Sequence, residues 1–78
     1  MASDSRSAPP GSEIRHQAIV EWWTEVSRSG DAGCTSWEVL DSIQAQVTAA
    51  LALGPPSIDR AEHLTARAIM LWSGQIEP

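Results

Sequence analysis

The side chains of this sequence that hold chemistry are few and widely spaced. Glu13-Ile14-Arg15-His16 has the E-x-x-H spacing that sets a carboxylate and an imidazole on one helix face, as in di-metal carboxylate bundles. Such a site needs further Glu ligands from other helices and a second E-x-x-H, but His63 directly follows Glu62. A metal site joining His16 to His63 is therefore not expected, and no metal is assigned. Cys34, beside a helix start, is the candidate nucleophile, yet no histidine lies near it in sequence to serve as base. Its expected role is that of a small hydrophobe packed at the helix start. The loop from Gly30 to Gly33 lacks the G-K-[ST] ending of a phosphate cradle.

Acidic pairs form a second constellation. Glu21 and Glu25 stand one helical turn apart, and Glu38 with Asp41 makes E-x-x-D. The pattern resembles the paired acidic motifs of all-α, magnesium-dependent nucleoside triphosphate pyrophosphatases of the MazG type, whose clustered carboxylates hold Mg²⁺ that bridges phosphates. The resemblance implies an Mg-dependent nucleotide pyrophosphohydrolase. It covers those four acidic positions; the first pair is E-x-x-x-E where the family has E-x-x-E, and there is no lysine to hold a phosphate. Solvated helix faces account for the same residues. The expectation is that the chain is not an enzyme and takes no cofactor or small-molecule substrate.

Composition narrows the class of partner. In 78 residues five Lys+Arg meet ten Asp+Glu, giving a net charge of -5, and 42% of the chain is hydrophobic. All five basic residues are arginine, and four tryptophans supply every aromatic ring. Arg6, Arg15, Arg28, Arg60 and Arg67 are scattered, whereas affinity for nucleic acid comes from several Lys/Arg neutralising phosphates. Direct nucleic-acid binding is not expected; a helix-turn-helix across Gly54 to Ser57 would offer phosphates only Arg60 and Arg67. No apolar run is longer than Ala68 to Trp72, far short of the about 20 residues of a membrane span. The opening MASDSRSAPPG has no apolar segment of a secretory signal, and the single cysteine forms no intramolecular disulfide; a cytoplasmic location is expected.

The elements that must position these residues are helices. Residues 1–11 read as a disordered head and residues 12–78 as a single small helical domain. The first helix is expected from Glu13 to Arg28 with Ser12 as N-cap. At about 100° per residue its apolar stripe is Ala18, Ile19, Trp22 and Val26. After the polar loop, Thr35-Ser36-Trp37-Glu38 reads as a capping box with Thr35 as the cap, and Cys34 and Val39 as its hydrophobic staple. The second helix then carries Leu40, Ile43, Val47, Ala50 and Leu51 and stops at Gly54-Pro55-Pro56. A third helix starts at Ser57 or Asp59, the latter in box-like spacing with Glu62, and runs to Trp72 with Ala61, Leu64, Ala68, Leu71 and Trp72 inward. The fold class is all-α: a three-helix bundle made of a helical hairpin plus an N-terminal helix. About 65 residues give a thin core, so completion by dimerisation is expected.

Large residues outside these stripes carry the functional expectation. On the first helix His16, Val20, Trp23 and Ser27 form a ridge, and on the third His63, Arg67 and Met70 share a side, with Ile69 also off the stripe. Two readings stand for Trp23 and Met70: anchors at an interface, where Trp and Met are enriched, or wider margins of a crowded core. Ala45, Ala49 and Ala52 on the second helix read as a plain exposed face. The leading expectation is a non-enzymatic protein-protein interaction module, a regulator, inhibitor or accessory subunit that uses this Trp/Met surface, with another protein as partner and a homodimer as its state. The alternative is an acidic decoy occupying the basic groove of a nucleic-acid-handling enzyme.

Overall fold

A computed structural model describes residues 11–77, so of the expected head only Gly11 falls within the described residues. Three α-helices follow in order: α1 (Ser12–Ser29), α2 (Trp37–Ala52) and α3 (Ile58–Ser73), with a short 3-10 turn at Pro55–Ser57 leading into α3. No strand occurs among the described residues, and none of these helices is long and apolar enough to cross a membrane.

Direction follows from the cross-helix pairs. Arg15 meets Asp59 and Glu62, Trp23 meets Thr65, and Asp31 just beyond α1 meets Trp72, so α1 and α3 run parallel. Glu38 and Ser42 at the start of α2 lie beside Arg67 and Leu71 near the end of α3, so α2 is antiparallel to both. The main packing is that of α3 against each of the other helices.

Two expected helix starts shift, each for a local reason, while α3 takes the first of its two expected starts, with Ser57 as N-cap. Gly11, not Ser12, is the N-cap of α1: it adopts a left-handed conformation (φ 69°), and its carbonyl accepts from Arg15 N–H at 2.9 Å. On α2 the cap is Ser36, one residue later than expected; it is extended, and its hydroxyl accepts from Val39 N–H at 3.3 Å. Glu38 thereby falls one position short of the reciprocal carboxylate of a capping box, and the Thr35 hydroxyl is buried without a hydrogen-bond partner. Asp59 and Glu62 form no box on α3 either, since both accept from Arg15.

The loop joining α1 to α2 is latched onto the end of α3. The Trp72 indole donates to Asp31 C=O at 2.9 Å, and Cys34 N–H donates to Trp72 C=O at 2.8 Å. Gly33 makes this approach feasible: with φ 65°, a Cβ there would lie 2.4 Å from the Trp72 carbonyl oxygen. Cys34 is exposed, with its sulfur against Gly74, so it is no staple under α2; it lies beside the close of α3.

The α2 stripe is inward as expected, with Leu40, Ile43, Val47 and Ala50 buried and Leu51 half-buried. On α3, Ala61, Ala68 and Leu71 are buried as expected, joined by Ile58 and Thr65. On α1 the buried residues are Ile19, Trp23 and Val26; Trp22 is half-buried and Ala18 exposed. Ile19 and Val26 are shared with the expected stripe, whose centre is thus rotated by about 50°, half a residue, toward Trp23.

A candidate partner-binding cleft between α1 and α2

Because α1 and α2 both lean on α3, they do not close over each other. Between them runs a cleft of about 360 Å³, with Ile19, Val20, Trp23, Thr24 and Ser27 on one wall and Gln44, Val47, Thr48 and Leu51 on the other. Ile19, Trp23 and Val47 are buried and form its floor, whereas Val20, Thr24, Ser27 and Thr48 are exposed along its rim. Leu51 also lines a smaller pocket of about 150 Å³ at the N-terminal end of α1, where Glu13 and His16 stand across from Gly54, Pro55 and Ile58.

The expected site residues divide between two surfaces. Val20 (40% exposed) and Ser27 border the cleft, and His16 marks its end. His63, Arg67 and Met70 are exposed on α3, with Arg67 in the groove on the other flank of α2, beside Glu38 and Val39. The single Trp/Met surface expected from the sequence is therefore not formed. Of the two readings of Trp23 the core one holds: it is only 5% exposed, so it is the floor of the cleft and not an exposed anchor. Its ring stands edge-to-face to Trp22, 4.9 Å between centroids at 84°. Its Nε1–H donates to the buried Thr65 Oγ1 at 3.0 Å, a pairing that removes the penalty for burying either polar group alone. A signal for it was present, since Thr65 interrupts the small residues Ala61 and Ala68 on α3, leaving room for one large ring and supplying its acceptor. Gln44 and Thr48 join the site without any signal in their residue types; with Leu51 they stand at i, i+4 and i+7 beside the buried α2 stripe.

No family model, curated protein or solved structure matches this chain.

The acidic constellations are not assembled. Glu21, Glu25, Glu38 and Asp41 are all exposed, and no group of three or more His, Cys, Asp or Glu among the described residues is placed to hold one metal ion. Glu13 and His16 do share the end pocket, without a third such ligand. The most developed charged cluster ties α1 to α3. Arg15 Nε donates to Glu62 Oε2 at 3.1 Å, and its Nη2 donates to both Asp59 and Glu62. The hydrogen bonds from Arg15 hold the Glu62 carboxyl below its ordinary pKa. Those to Glu62, and next to Asp59, raise that of Arg15.

Proposed function

We propose that this chain is a non-enzymatic helical interaction module, a small regulator, inhibitor or accessory subunit that docks another protein in the α1–α2 cleft. The observation that carries the reading is the cleft's composition: an apolar floor of Ile19, Trp23 and Val47 bordered by hydroxyls and one amide instead of charges. An apolar centre with a polar rim is the anatomy of a protein interface. The docking residues are Val20, Thr24, Ser27, Gln44 and Thr48, with Trp23 as floor; His63, Arg67 and Met70 belong to a separate α3 surface. The test is affinity capture with the tagged chain and its Val20→Arg and Thr48→Arg variants, both at exposed positions. A partner lost with the cleft variants and kept with His63→Ala/Met70→Ala supports the reading; the reverse pattern moves the docking site to α3. Self-association through the same cleft is the route by which the expected homodimer would form, and sedimentation equilibrium reads it directly.

A second reading, the acidic decoy, is favoured by one observation: every carboxylate among the described residues is exposed. It requires binding to a basic groove that collapses as salt rises and is insensitive to Thr48→Arg beyond the effect of one charge.

A further inference from the structure

Polar residues along the cleft fall into an inner and an outer row. The inner row, Thr24, Ser27, Gln44 and Thr48, is uncharged. Outside it the charges are mainly acidic. Glu13 stands at the end pocket, and Asp41 lies three residues before Gln44 and seven before Thr48, spacings that share a helix face. Arg28, four residues after Thr24, is the cation on this edge, and Glu25 accepts from it at 3.5 Å. Both walls are helices whose backbone groups are bonded internally, so an extended peptide finds no sheet edge to join. Two antiparallel walls over an apolar floor leave the place of one more helix in a four-helix arrangement.

Resting on the reading that this cleft is the docking site, we infer that its occupant is an amphipathic helix of a partner protein with Lys or Arg beside its apolar stripe. The stripe, spaced i, i+3, i+4 and i+7, lies along Trp23, Val47 and Leu51, and the basic flanks meet Glu13 and Asp41. A second copy is the poorer occupant, since it brings another net charge of -5 to the same acidic rows.

The test uses the full chain, ¹⁵N-labelled, with three synthetic helical peptides of about 16 residues, enough to run along both walls at about 1.5 Å per residue. One has a leucine stripe flanked by lysines, one the same stripe flanked by glutamates, and one lysine flanks with the stripe changed to serine. The expected result is that the lysine-flanked leucine peptide shifts the Trp23 indole N–H and the Val20 and Thr48 amides. It binds about tenfold or more tightly than either control. Thr48→Arg, with its fold checked by far-UV circular dichroism, removes those shifts, and Glu13→Gln/Asp41→Asn narrows the gap between lysine and glutamate flanks. Equal or tighter binding of the glutamate-flanked or serine-stripe peptide overturns the inference. So does movement of the same resonances with protein concentration alone, which would seat a second copy and leave the cleft as a docking site. Cleft resonances that stay fixed under every peptide and every concentration overturn the underlying reading as well.

Discussion

At the scale of single residues, the Trp23–Thr65 hydrogen bond sits inside the contact between α1 and α3, and both partners are nearly inaccessible. Trp23→Ala is expected to lower stability by about 3–5 kcal/mol, the range for deleting a buried aromatic side chain. Thr65→Val keeps the volume but strands the indole N–H, at about 1–3 kcal/mol. Urea unfolding followed by circular dichroism gives both values, and a Trp23→Ala effect below that of half-buried Trp22→Ala would contradict the core assignment. Gly33 and Gly30 form a matched pair for a second measurement. Both have positive φ, but a Cβ at Gly30 meets nothing within 4 Å whereas one at Gly33 strikes Trp72. Gly30→Ala should carry only the left-handed penalty of about 1–2 kcal/mol; Gly33→Ala should lose more, together with the latch that joins the loop to Trp72.

At the scale of elements, the Arg15 cluster is the charged tie between α1 and α3 and gives the fold an acid-sensitive contribution. Because Arg15 holds Glu62 below its ordinary pKa, the tie contributes fully above the ordinary carboxyl range and is lost as pH falls through the lowered value. Glu62→Gln should therefore shrink the difference in stability between neutral and acidic pH, read from denaturation midpoints at a series of pH values; an unchanged difference would mean that the tie contributes nothing. The partners are exposed, with 50% and 74% of the Glu62 and Asp59 side chains accessible, so added salt should weaken the same effect. Residue types alone were enough to read helix number, order and most of the buried α2 and α3 positions, because a 3.6-residue period with Gly and Pro breaks needs no tertiary information. The rotation of α1 was not readable that way. Trp22 and Trp23 are adjacent and equally apolar, and which one enters the core depends on Thr65, 42 positions away. The cleft escaped for the same reason, being a property of how α1 and α2 lean on a third helix.

For the whole molecule, net charge separates the ways of covering the cleft. Two copies at -5 each repel, so a homodimer should tighten as salt screens that repulsion, whereas a basic helix should bind less tightly. Sedimentation and peptide titration at low and high ionic strength are expected to slope in opposite directions, and equal slopes would remove charge from the explanation of partner choice. The three ties along α3, at Arg15, at Trp23 and at the Asp31–Trp72 latch, fasten α1 near its start, in its middle and just beyond its end. The slot beside it is consequently set before any guest arrives. Ordering entropy on association falls on the incoming segment and hardly on the host, so a guest helix stiffened in advance, by a staple or by better helix-forming residues, should gain affinity through slower departure while its rate of arrival changes little.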